Sequence, residues 1–290
     1  VVPGGPWMQG AEIPLSEQQI QAFKEKYGLD QPIWLQYLTW LRNALVLDFG
    51  YTFTEPERTV TELIRSALPY SALVGGLAAT LAIVLGVTMG IVAAANQDTW
   101  IDNIVTSYAV FMSTIPSFVL GFLLVYFLSV KLRWFPAGSW GDPNDWRDVA
   151  HHIALPVIAF GLPATGGVAR WTRQCVAEAM AADYVRTAYA KGLQPTGVMT
   201  RHVLRNALIP MITSFLSLYP GMMTGSLFVE RVFALPGLGR YFVMSSTNRD
   251  YPLVLGITIF WALLIALTYL LTDILYGIID PRVRVTEKQR

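Results

Sequence analysis

The 290-residue chain is 53% hydrophobic and only 14% charged. An ordinary soluble domain carries about 25% charged residues, so this balance excludes a typical water-soluble globule and points to a bilayer. The single cysteine, Cys175, excludes an internal disulfide framework or thiolate metal cluster, and a net charge of +1 leaves orientation to the individual loops.

The chain opens on VVPGGP, with no initiator Met and no cleavable signal peptide. That start fits a missing N-terminal piece carrying one more span. Residues 1–67 are expected to form an extracytoplasmic segment. In it, Ser16-x-x-Gln19 reads as a capping box, followed at helical spacing by Ile20, Phe23 and Tyr27. Gly28 is placed to end that helix. A second amphipathic stretch from Pro32 to Leu45, rich in Trp, Tyr and Leu, is expected to lie on the outer interface.

Five apolar runs follow: Leu68–Ala95, Ile104–Val130, Ile153–Ala169, Ala207–Val229 and Leu253–Ile279. A membrane helix needs roughly 20 such residues, and four runs meet that length. The third is interrupted by Pro156, Gly161, Pro163, Gly166 and Gly167. These runs predict an all-α polytopic membrane protein whose transmembrane domain occupies 68–279, with a tail at 280–290.

Loop charge sets the orientation. Residues 170–206 carry Arg170, Arg173, Arg186, Lys191, Arg201 and Arg205 against Glu178 and Asp183, and the tail carries Arg282, Arg284, Lys288 and Arg290. Cytoplasmic loops are enriched in Lys and Arg, so both segments are expected inside. Trp134, Phe135, Trp140 and Trp146 in the first outer connector fit an interfacial aromatic belt. The loop NQDTWIDN, 96–103, should also be cytoplasmic, yet it carries Asp98 and Asp102 and no cation.

The stretch from Gln174 to Tyr189 favours helix, Gly192 can take the left-handed conformation that ends one, and Pro195 opens the next, which runs from Thr196 to Ala207 into the fourth run. At about 3 kcal/mol per cation, this basic hairpin stays out of the hydrocarbon. Its apolar Val185, Leu193, Val198 and Met199 inside a basic rim suit docking in a partner's groove.

DYVRTAYAKGLQPTGVMTRHVLRNALIP resembles the EAA loop of ABC-importer permeases, in the form used by their dipeptide and oligopeptide branch. Only Ala188, Gly192 and Leu204 match the broad EAA pattern, because Arg186 and Thr187 hold its first two positions and His202 and Arg205 stand where Ile and Pro would be. The peptide-branch form, with Arg-Thr-Ala, Ala-Lys-Gly-Leu and Arg-Asn-Ala-Leu-Ile-Pro, fits far better. YGLDQPIWLQYLTWL, LDFGYTF, FVERVFALPGLGRY, RDYPLVLG and YGIIDPRVRV resemble the same branch in the same order.

The resemblance implies a type I ABC-importer transmembrane domain, normally of six spans, in a bacterial or archaeal inner membrane. It also implies a coupling loop, 174–206, seated on an ATPase subunit, with Tyr184, Val185, Arg186, Thr187, Ala188, Ala190, Lys191, Gly192, Leu193, Val198 and Met199 as the contact. The chain has no phosphate-binding G-x-x-x-x-G-K-[ST] loop. The resemblance implies that ATP and magnesium bind on two partner ATPases, with no cofactor on this chain, and that one permease chain forms half a pathway, completed by a second permease. An extracytoplasmic binding protein would deliver cargo: di- or oligopeptides, with nickel, glutathione and oligosaccharides carried by similar permeases.

Small polar patches within the runs offer pathway residues: Met112, Ser113 and Ser117 in the second, and Ser214, Ser217, Met222 and Met223 in the fourth. Such residues also pack helices together. Glu230, Phe233, Pro236 and Gly237 in the outer segment are candidates for an outer gate or binding-protein contact. His151 and His152 beside Asp148 could hold a metal, but adjacent histidines point apart on a helix, and no metal site is assigned. A self-sufficient secondary transporter predicts an inverted repeat and a buried charge along its route, and neither is legible. A membrane hydrolase would need an intramembrane His or paired acids. No nucleic-acid partner is expected.

Overall fold

The computed structural model describes residues 17–279, all of whose regular elements are helices apart from one isolated bridge, Tyr51 to Thr59. Ser16, the residue proposed to cap the first helix, and the tail from Asp280 lie outside that range. Helix α1 is Glu17–Lys26. Gly28 follows at φ +64°, with the Leu29 N–H on the Lys24 carbonyl at 2.8 Å, the helix end expected there. Helix α2, Ile33–Leu45, turns Trp40 and Ala44 partly inward and leaves Trp34, Tyr37, Leu38, Leu41 and Leu45 exposed.

Helix α3 spans Val60–Ala95 and begins earlier than its apolar run. Thr59 and Glu62 form a reciprocal capping box, with Glu62 N on Thr59 Oγ1 at 3.2 Å and Thr59 N on Glu62 Oε2 at 3.1 Å, which satisfies two of the N–H groups a helix start leaves open. Helix α6, Trp146–Ala181, is equally long and takes in both Pro156 and Pro163, so the interrupted third run is part of a complete span.

The second run is not one straight helix. It divides into α4, Trp100–Thr114, and α5, Ser117–Lys131, whose axes differ by 96°. Pro116 offers no N–H and disfavours helical backbone at Ile115, which is extended at φ −82°, ψ 119°. The pair still crosses. It begins where Asp102 meets Arg173 and ends where the His151 ring reaches the Trp134 carbonyl at 2.8 Å. The rise from His151 to Arg173 covers about 33 Å of α6 at about 1.5 Å per residue, enough for the hydrocarbon core.

After a break at Ala182 come α7, Asp183–Ala190, and α8, Pro195–Val198, which continues through a wide turn at Met199–Val203 into α9, Leu204–Leu216. Helices α10 (Leu218–Met223), α11 (Leu227–Val232) and α12 (Leu238–Thr247) lead to α13, Tyr251–Ile279. By length and composition, four stretches can cross a membrane, Val60–Ala95, Trp146–Ala181, Pro210–Val232 and Tyr251–Leu271, and the bent pair, counted as one span, makes a fifth.

Helices α3 and α6 run parallel, Val74 beside Ile153 and Leu155 at one end, and Ala94 beside Cys175 and Val176 at the other. Small residues let them close. A Cβ added at Gly90 would lie 2.5 Å from Thr172 Cβ and 2.6 Å from the Ala169 carbonyl, and one at Gly86 would meet Val168 at 2.6 Å. Lipid offers no hydrophobic drive to helix pairing, so close backbone approach must supply it.

Candidate coupling hairpin, cleft and outer turn

The hairpin forms at the end of the molecule where α3 and α6 terminate. Helix α6 does not run on to Tyr189. Ala182, at φ −72° and ψ 147°, breaks it, and α7 starts in a new direction. Gly192 takes φ +78° and closes the turn, with its N–H on the Tyr189 carbonyl at 2.9 Å and the Leu193 N–H on the Ala188 carbonyl at 3.3 Å. Pro195 then occupies the first turn of α8, where its missing N–H costs nothing.

Packing divides the expected contact residues into two sets. Val185, Ala188 and Val198 are buried with Ala94, Cys175, Val176, Val203, Ala207 and Met211, and Leu193 and Met199 pack partly against them. These five fasten the hairpin to its own chain rather than offering anchors to a partner. Tyr184, Arg186, Thr187, Ala190, Lys191 and Gly192 are exposed, as is Tyr189 among them. The Arg186 side chain is 82% exposed and reaches Asp183 only at 3.8 Å, so it is available to a neighbouring subunit.

Two of the expected pathway residues converge. Ser113 of α4 and Ser214 of α9 line one open cleft of about 420 Å³ with Pro163, Ala164, Gly167, Val168, Trp171, Phe215 and Leu218. Each hydroxyl donates back along its own helix, Ser113 to the Val110 carbonyl at 2.9 Å and Ser214 to the Pro210 carbonyl at 3.1 Å. Their lone pairs remain to accept from a guest. Trp171 and Phe215 had no sequence signal beyond being aromatic. Ser217 lies instead in a smaller recess of about 90 Å³ with Pro220, Gly221, Ile265, Thr268 and Tyr269. Met112, Ser117 and Met223 are half-buried. Met222 is a correction: it is buried with Ala78 and Ala79 of α3, and its carbonyl abuts Gly75 so closely that no Cβ fits there.

In the outer segment Glu230 is 3% exposed and works as a brace. Its Oε2 accepts from the Gly239 N–H at 2.7 Å and the Arg240 N–H at 3.3 Å, capping the start of α12. Ser71 Oγ lies beside the same carboxyl and accepts from the Leu238 N–H at 2.8 Å. Gly237 leaves no room for a Cβ against that carboxylate. Phe233 is wholly buried among Val74, Ile153, Leu155, Ala159, Val229 and Leu235, and its carbonyl accepts from the Ser139 N–H at 2.8 Å. Of the four residues considered for an outer gate, Glu230, Phe233 and Gly237 are enclosed and Pro236 is half-buried, so they are a buried support for the turn rather than a free contact surface. Trp134 and Trp146 face outward, whereas Phe135 and Trp140 pack inward.

The acidic loop that ran against the charge pattern has a local explanation. Asp102 is 3% exposed and paired with Arg173 at 2.6 Å, so its charge is matched within the chain. His151 and His152 serve different neighbours, Trp134 and Asp148. Among the described residues no group of three His, Cys, Asp or Glu is arranged to hold a metal.

Residues 86–285 match the family described as binding-protein-dependent transport system inner membrane component. The chain is 35% identical over 288 residues to the dipeptide transport system permease protein DppB of Bacillus subtilis, covering 99% of this chain and 91% of that one. It is 38% identical over 284 residues to the oligopeptide transport system permease protein OppB of Haemophilus influenzae, covering 98% and 90%. Among solved structures, an inward-facing MetNI methionine ABC transporter aligns at TM-score 0.62 and 13% identity, over 75% of this chain and 96% of that chain. An amino acid ABC transporter aligns at 0.58 and 18%, over 75% and 94%. The parallel α3–α6 pair, the short-helix hairpin and the near-complete match to these permeases lead to one conclusion: the chain belongs to the binding-protein-dependent transport system inner membrane components, and is a multi-pass protein of a prokaryotic inner membrane.

Proposed function

We propose that this chain is one half of the membrane pathway of an ATP-driven importer of di- and oligopeptides, and that it receives the work of ATP hydrolysis through the α7–α8 hairpin. The observation that carries the coupling role is the hairpin's division into a buried face fused to the ends of α3, α6 and α9 and an exposed face bearing Tyr184, Arg186, Tyr189 and Lys191. A force on the exposed face acts on the transmembrane helices because no flexible linker intervenes. The peptide cargo is supported by the permeases named above. The hairpin end faces the cytoplasm, in keeping with its surplus of Arg and Lys. Two ATPases, binding ATP and magnesium, dock there, a second permease completes the pathway, and an extracytoplasmic binding protein delivers peptide to the other end. The alternation of access follows from the ATPases holding one conformation more tightly than the other.

Co-expression with the neighbouring transport genes tests this. Purification through a tag on this chain should recover two ATPases and a second permease, and the reconstituted set should take up labelled peptide only with ATP and binding protein. Peptide uptake by this chain alone would overturn the reading.

A further inference from the structure

The first half of the bent span is fastened to the helix that leads into the hairpin. Arg173 Nε donates to Asp102 Oδ1 and Arg173 Nη2 to Asp102 Oδ2, both at 2.6 Å. The Asp98 N–H at 3.1 Å and the Thr106 hydroxyl at 3.3 Å give each carboxylate oxygen a second donor. Asp98 supplies its bond from φ +62°, a conformation uncommon outside glycine. A two-point guanidinium–carboxylate contact fixes orientation as well as distance, so α4 can neither slide nor turn freely on α6.

Arg173 is close in sequence to Cys175 and Val176, which are buried with the hairpin's Val185, Ala188 and Val198. Helix α4 is thereby joined to the hairpin body. Its other end is different. The chain turns by 96° at Ile115–Pro116, and α5 packs in a separate cluster around Phe233, with Gly121 beneath that ring. One end of α4 is clamped and the other meets a break in the helical hydrogen bonds.

We propose that the Asp102–Arg173 pair is a positioning latch that makes α4 travel with the coupling hairpin, with Ile115–Pro116 as the hinge between α4 and α5. The inference rests on the hairpin being the ATPase contact. Neither residue is among those lining the cleft. They act by keeping α4, whose Ser113 borders the cleft, in step with α6.

The test uses the complete importer in proteoliposomes, comparing wild type with Asp102→Asn, Arg173→Gln and the double variant D102N/R173Q, and reading peptide uptake per ATP hydrolysed. The double variant buries no lone charge, so it keeps the test open if either single variant misfolds. The latch predicts at least a fivefold fall in uptake per ATP in the double variant at unchanged ATP hydrolysis, and a loss no greater than in the worse single variant, because both substitutions remove one contact. Alkylation of Cys175, the chain's only cysteine, should stay as slow as in wild type. Unchanged uptake per ATP, uptake and hydrolysis falling in parallel, losses that multiply, rapid Cys175 labelling or failure to assemble would each overturn the latch. A wild-type complex lacking ATPases would instead refute the underlying hairpin assignment.

Discussion

The buried Asp250 carboxylate joins the start of α13 to the segment before α3 by accepting from the Thr54 hydroxyl at 2.9 Å and from the Thr54 and Phe53 N–H groups at 3.0 and 2.9 Å. The other oxygen takes the Leu253 N–H at 3.3 Å, within the first turn of α13. Leaving a buried donor unpaired costs about 1–3 kcal/mol. Asp250→Ala should therefore destabilise the purified protein by about 3 kcal/mol or more, with Asp250→Asn milder. Thermal denaturation in detergent measures both, and equal stability of Asp250→Ala and wild type would refute the role.

Gly192 has open space around the position of a Cβ but sits at φ +78°. Its constraint is therefore backbone conformation alone, costing a β-carbon residue about 1–2 kcal/mol. Gly192→Val should leave membrane insertion intact and reduce peptide uptake several-fold, while Gly192→Asn, a residue that tolerates the left-handed region, should retain most of it. Equal uptake by the two variants would show that the turn conformation is not what matters.

Glycines in α3 and α6 separate by a different criterion. Gly90 faces Thr172 and the Ala169 carbonyl at 2.5–2.6 Å from where its Cβ would lie, whereas Gly167 has nothing within 4 Å and borders the cleft. Gly90→Ala should cost about 1–3 kcal/mol by overpacking. Gly167→Leu should fold normally but narrow the cleft, lowering uptake of peptides with bulky side chains more than that of glycine-rich ones. Melting temperatures and a peptide-size series check the two halves of this contrast.

Glu230→Ala strips acceptors from the Gly239 and Arg240 N–H groups at the start of α12 and should destabilise the outer turn by about 2 kcal/mol or more. Glu230→Gln keeps an acceptor of the same reach and should lose less. Hydrogen exchange localised to residues 233–247 would report the difference, and identical exchange in the two variants would count against the brace.

Much of this arrangement is written in local sequence. The five apolar runs located the crossings because hydrocarbon demands roughly 20 apolar residues wherever a helix passes. Gly28 and Gly192 marked helix ends because left-handed backbone selects glycine. The earlier start of α3 was missed, although Thr59-x-x-Glu62 has capping-box spacing ahead of an apolar run. What stayed hidden depends on distant partners. Val185, Ala188 and Val198 have the same apolar character whether they face an ATPase or α6, so only packing could sort them from Tyr184 and Arg186. Asp102 looked like an anomalous loop charge because Arg173 is 71 positions away. Glu230 was noticed for its position, but its partners Gly239 and Arg240 act through backbone N–H groups, which leave no mark in sequence.

The parallel course of α3 and α6 also governs how the protein is made. Helices that point the same way cannot be joined by a short turn, so the bent pair and an outer loop must be synthesised before the glycine groove of α3 meets its complement. From Ala95 to Ala181 the ribosome adds 86 residues, roughly 4–17 s of elongation at about 5–20 residues per second. Throughout that interval α3 stands in the membrane with its narrow face unfilled, open to whatever helix the insertion machinery or a neighbouring nascent chain presents.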